Sequence, residues 1–142
     1  MAKDYRKEVY EWEDGCFVAG QQLLEWKAAK KLVRDACKLY GVKPPTVHKL
    51  RGEKLSYYNT PRKSIHLLTQ HTNPFVVLHE AAHHIATVLC PQGEDHGKPW
   101  LGIYQWLLVR FKLFRKPFLY GSSKEYRLPY GPLHPRRFRT QT

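Results

Sequence analysis

The stretch NPFVVLHEAAHHIATVLCP, residues 73–91, leaves the chain little freedom. Asn73 is a good N-cap, Pro74 suits the first helical position, apolar residues follow, and Pro91 forbids continuation. The stretch therefore predicts a helix stopped at both ends, and that helix carries the sequence HEAAH. On it His79 and His83 lie about 40° apart round the axis and roughly 6 Å apart along it, so both imidazoles can reach one ion. Glu80 sits about 100° further round than His79, where its carboxylate can contact a metal-bound water without binding the metal. Composition alone would produce H-E-x-x-H in only about 0.02 chains of this length, so the pattern calls for a chemical reading.

Two neutral imidazoles leave most of a zinc charge uncompensated, and a catalytic tetrahedron needs a third protein ligand and one open position. The loop PQGEDHG offers His96, which a turn can bring back toward the helix. A neutral three-histidine set keeps zinc electrophilic enough to lower the pKa of its water to about 7. Glu94 and Asp95 stand as rival ligands, as carboxylates that orient a coordinating imidazole, or as plain solvated loop residues. His84, four residues beyond Glu80, offers a rival register but lacks a base in the right place; tuning of Glu80, packing or solvation are its other roles. His66 and His71 precede the helix and read as structural.

Elsewhere the periods predict an α+β fold. A long N-terminal helix spans residues 16–40, with Leu24, Ala28, Leu32, Ala36 and Tyr40 at four-residue steps beside Val33 and Cys37, and Gly41 with Pro44 and Pro45 ends it. TVHKLRGEKLSYYNTPRKSIHLL alternates in three pieces, the pattern of a small three-stranded antiparallel sheet. After the HEAAH helix, Pro99 starts a further helix whose apolar face holds Trp100, Tyr104, Leu107, Leu108 and Phe111. The division that follows is an extension (1–15), a core (16–114) and an irregular basic, aromatic-rich tail (115–142).

The 142 residues make one domain's worth of chain, and the odd, scattered Cys16, Cys37 and Cys90 argue against a disulfide framework or a cysteine zinc site. The charged N-terminus lacks the apolar stretch of a secretory signal, and no apolar run reaches the roughly 20 residues of a membrane span, so the expectation is a cytoplasmic protein without a membrane partner. A net charge of +12 favours polyanions such as nucleic acid, or an acidic partner. From Arg110 onward nine Lys or Arg residues face one acidic residue, Glu125, with Phe and Tyr interleaved. That mixture suits phosphate contact and base stacking, and Arg115, Lys116, Arg136, Arg137 and Arg139 are the candidate contacts; a solvated basic surface is the other reading.

HEAAH followed after a short loop by HGKPW resembles the SprT-like zinc metallopeptidases, whose eukaryotic members include a protease that removes proteins crosslinked to DNA. His79, Glu80, His83 and His96 match that family's motif positions, and Gly97 and Trp100 complete its second segment. The resemblance covers roughly residues 16–114 and implies a zincin-like domain with one zinc ion per chain and a protein or peptide substrate. No cysteine zinc ribbon follows, unlike some bacterial members, and the compact size suits a bacterial or phage protein. The implied mechanism places Glu80 as general base, taking a proton from the attacking water and delivering it to the leaving amine. Ser64, Ile65, His66, Leu67 and Leu68 are expected to form an edge strand to which an extended substrate adds its backbone. Tyr57, Tyr58 and Tyr104 are candidates to stabilise the oxyanion, against a core-packing role for each. The competing function is a nucleic-acid-binding or assembly protein that keeps zinc for stability, and a third is a regulatory peptidase with an acidic third ligand.

Overall fold

The computed structural model of the chain describes residues 2–17, 23–52, 55–69 and 72–138. In order these form α1 (Arg6–Cys16), α2 (Trp26–Leu39), β1 (Thr46–Leu50), β2 (Tyr57–Asn59), β3 (Ser64–Leu68), α3 (Pro74–Leu89), α4 (Lys98–Arg110), α5 (Lys116–Glu125) and a 3-10 turn (Pro135–Phe138). The mixed α+β class is as expected, while several elements differ from the sequence reading. No helix among the described residues is long and apolar enough to cross a membrane.

The helix carrying HEAAH forms as its ends dictate: the Asn73 side chain accepts from the Val76 N–H at 3.0 Å, and Pro74 opens α3. Because its sequence is apolar on nearly every side, α3 is buried along most of its length and becomes the axis of the fold. It packs between α2 and α4 and against the sheet. Trp100, Tyr104, Leu107 and Leu108 of α4 are buried as the period requires.

The long helix expected over residues 16–40 is instead two. α2 begins at Trp26, residues 18–22 lie outside the described set, and α1 occupies most of the supposed extension. The buried stripe of α2 and its cap is Ala29, Val33, Ala36, Cys37 and Tyr40, so Val33, Ala36, Cys37 and Tyr40 are buried as the period predicts, while Ala28 is exposed and Leu32 half-buried. Its C-terminus closes through Gly41 at φ +68°, with Gly41 N–H to Lys38 O at 3.1 Å and Val42 N–H to Cys37 O at 3.0 Å, a left-handed cap that favours glycine.

The sheet is mixed, not antiparallel. Its strand order is β1-β3-β2; β2 and β3 form an antiparallel hairpin, whereas β1 pairs with β3 in parallel, Val47 opposite Ile65. Alternation reports which side chains share a face and is silent on strand direction, which is why the sequence pattern misled. The same order puts β3 in the centre. Ser64, Ile65, His66, Leu67 and Leu68 therefore do not form an edge strand: β1 flanks them throughout and β2 covers Ser64 to His66.

The expected irregular tail is also corrected. α5 packs on α1 and α4, burying Leu119, Ser122 and Ser123, and the segment beyond it buries Leu128 and Pro135. Gly102 on α4 makes this docking feasible, because a Cβ there would stand 2.6 Å from the Gly131 carbonyl oxygen. In its absence Leu133 N–H reaches Gly102 O at 3.0 Å.

Candidate metal centre

Two tight turns after α3 build the site. Gly93 N–H bonds Cys90 O at 2.9 Å and Gly97 N–H bonds Glu94 O at 3.1 Å, so the loop folds back and delivers His96 beside α3 just before α4 starts. Gly97 lies so close to Glu94 that an added Cβ would be 3.3 Å from the Glu94 carbonyl. His79, His83 and His96 are all buried, and one nitrogen from each comes within 4.8 Å of the others.

His79 and His83 point their Nε2 atoms toward one another. His79 Nε2 and His83 Nε2 are 3.2 Å apart, and two nitrogens on a zinc tetrahedron with bonds of 2.0–2.1 Å would be separated by about 3.3 Å. Both nitrogens of His96 are buried without a hydrogen-bond partner, an arrangement costly for a polar ring unless a ligand is supplied. The donor set and its spacing thus fit a borderline-soft divalent ion of the zinc kind.

Carboxylates stand on the opposite, Nδ1, sides. Glu13 Oε2 is 2.8 Å from His79 Nδ1 and also accepts from the Tyr104 hydroxyl at 2.9 Å. Asp95 lies 3.5 Å from His83 Nδ1 and 3.3 Å from His96 Nδ1, and Asp4 lies 3.8 Å from the latter. Asp95 is accordingly an outer partner of two imidazoles, and the described three-residue cluster is all histidine. Trp100 forms the floor: it stacks on His83 at 4.9 Å, meets His79 and His96 edge-on at 4.8 and 4.7 Å, and donates from Nε1 to His79 O at 3.3 Å.

Burial disfavours charge on His79, but Glu13 and Glu80 outweigh it and raise its pKa to about 9. Burial and the His79 charge lower His83 and His96, against the pull of Asp95 and Asp4 on the latter. His79 Nδ1 then donates to the Glu13 carboxylate. Glu80, also buried, is raised to about 7 by loss of water, with Glu13 and Asp95 pushing the same way and His79 opposing.

Glu80 and His79 line a cleft of about 460 Å³ together with Arg6, Tyr10, Asp14, Phe17, Leu55 and Phe75. Tyr10 was not singled out in the sequence, yet its ring lies 6.3 Å from His79 and 5.5 Å from His96. Glu13 was missed likewise. Their signal was available in the helical spacing of Val9, Trp12, Glu13 and Cys16 within a segment whose charge suggested an extension.

The remaining candidates have other occupations. His84 Nε2 donates to Lys43 O at 2.8 Å while Nδ1 accepts from the Tyr58 hydroxyl at 2.9 Å, which pins the sheet to α3, and the Tyr58 ring lies 6.4 Å from that of His83. The Tyr104 hydroxyl is committed to Glu13, and Tyr57 stacks on His66 at 4.5 Å. His66 bonds Ser64 at 2.8 Å. Arg115, Lys116, Arg136 and Arg137 are exposed, whereas Arg139 and His71 lie outside the described residues. The cysteines are free. Compared with protein-family models, curated proteins and solved structures, the chain finds no match.

Proposed function

We propose that this chain is a zinc-dependent endopeptidase of the SprT-like kind, zincin-like in fold, with one zinc ion held by His79, His83 and His96 and with Glu80 as general base. The observation that carries this reading is the buried carboxylate of Glu80 beside three convergent imidazoles at the wall of a cleft. A purely structural zinc site gains nothing from such a group, and burying it is costly. When bound, zinc supplies a Lewis acid that polarises a peptide carbonyl and makes water a stronger acid.

Glu80 supplies the proton chemistry. Buried at the wall of the cleft, it is placed to take a proton from water and return it to the departing amine. Phe17, Leu55, Phe75 and Val76 give the cleft an apolar wall for substrate side chains, while Arg6 and Asp14 offer polar contacts. With β3 in the centre of the sheet, β1 and β2 are its edges, and Leu55 and Ser56, just before β2, line the cleft and offer backbone to which an extended substrate can add. The charge of +12 and the exposed Arg115, Lys116, Arg136 and Arg137 support substrates held on nucleic acid.

Glu80→Gln tests the assignment. The variant should retain one zinc per chain, while hydrolysis of an unstructured protein substrate, assayed with and without single-stranded DNA, falls by about 10²–10⁴-fold. Undiminished hydrolysis would refute the role of Glu80, and a wild type that binds zinc yet cleaves nothing under either condition would refute the peptidase reading.

A further inference from the structure

We infer that Glu13, carried on α1, is the positioning residue that holds His79 with Nε2 toward the metal, so that the N-terminal helix is an integral part of the metal centre. This rests on the three-histidine zinc site proposed above. An imidazole offers two nitrogens, and the one left for the metal is set by what the other binds. At His79 that partner is Glu13 Oε2, 2.8 Å from Nδ1.

Glu13 is itself fixed from several directions. Its Oε2 accepts a second hydrogen bond from Tyr104, whose hydroxyl also lies 3.3 Å from Phe75 O and whose ring is buried. The helix that carries it is anchored on both sides: Val9 and Trp12 are fully buried, Trp12 Nε1 donates to Ser122 Oγ at 3.0 Å, and Tyr5 N–H bonds His96 O at 2.9 Å. Glu13 approaches His79 from the side opposite the inward Nε2, which excludes it as a further ligand to the same ion. Its side chain is only 19% exposed, so the contact is weakly screened. Asp95 makes the contrast. Its side chain is 64% exposed and 3.3 Å or more from either imidazole it faces, so it should orient them less.

The test is zinc affinity by chelator competition, with the cobalt-substituted spectrum as a second readout. Glu13→Gln should weaken zinc binding by about 10–100-fold and shift the ligand-field bands. Glu11→Gln, the same charge change at an exposed position of α1, should leave both unchanged, and Asp95→Asn should weaken binding by less than Glu13→Gln. Tyr104→Phe, which keeps the ring and removes the second hold on the carboxylate, should give a smaller loss in the same direction; it also decides the matter if Glu13→Gln does not fold. Affinity and spectrum within twofold of wild type in Glu13→Gln, or in Tyr104→Phe where the former is unfolded, would overturn the inference and leave the zinc site standing. Equal losses in Glu11→Gln and Glu13→Gln would reduce the effect to net charge and overturn it too. A wild type that binds no zinc would overturn the functional reading, and this inference with it.

Discussion

His79 is where the metal and the proton compete. Its pKa of about 9 lies above the ordinary histidine value of about 6.5, so in the metal-free protein at pH 7 it carries a proton that the unfolded chain largely lacks. This contribution to stability is fully present below about pH 6.5 and is lost as the pH rises through about 9. A metal at the inward nitrogens must displace that proton, and Glu80, half protonated near pH 7, adds a fraction of a second. Zinc binding at pH 7 should therefore release about one to two protons, and apparent affinity should rise about tenfold per pH unit between 7 and 9. Calorimetric titration in buffers of different ionisation enthalpy measures the release; a binding heat independent of buffer would contradict the assignment. The histidine trio was legible because two of the histidines and the proposed base lie within five consecutive residues and the third histidine follows one short loop. Glu13, 66 residues before His79, shares no local spacing with it, and only the packing of α1 brings it there.

At the scale of elements, α1 and α5 stand or fall together. Trp12 is fully buried and its indole N–H has Ser122 Oγ as partner. Ser122→Ala removes that acceptor inside the protein, where an unpaired donor costs about 1–3 kcal/mol. The variant should unfold at lower denaturant concentration by that amount with an unchanged slope; stability equal to wild type would show that the indole finds another acceptor. Neither helix was evident beforehand, and for a common reason. The α1 segment places its buried Val9 and Trp12 among charged residues, and α5 begins with Lys116 and Pro117 and contains Gly121, so both look like solvated chain until a neighbouring surface is present to bury them. α3 and α4 were readable because their apolar faces are wide and their starts are marked by proline. The sheet was readable as three strands, but not as an order. That order depends on β2 being carried to the far side of β3, a matter of long-range packing that a period of two does not encode.

Across the whole molecule, the segment that follows α5 is packed into the fold, and this decides how nucleic-acid binding should be tested. Residues 131–138 are part of the fold: Tyr40 donates its hydroxyl to Leu133 O at 2.6 Å, Phe138 lies 5.9 Å from the Tyr40 ring, and Pro135 is buried. Deleting residues 132–142 would strip these contacts, so a loss of binding would not separate charge from unfolding. Arg136 and Arg137 are exposed on the 3-10 turn, and replacing both with Gln removes two charges while leaving the buried contacts intact. If each arginine neutralises one phosphate of a single strand, the slope of log affinity against log salt should become shallower by about 1.4, with no change in thermal stability. Arg115→Gln with Lys116→Gln, at the start of α5, asks the same of the other candidate pair. A slope unchanged in one double variant would remove that pair from the interface, and unchanged slopes in both would leave the described part of the C-terminal segment with the architectural role of holding α1, and through it Glu13, against the metal centre.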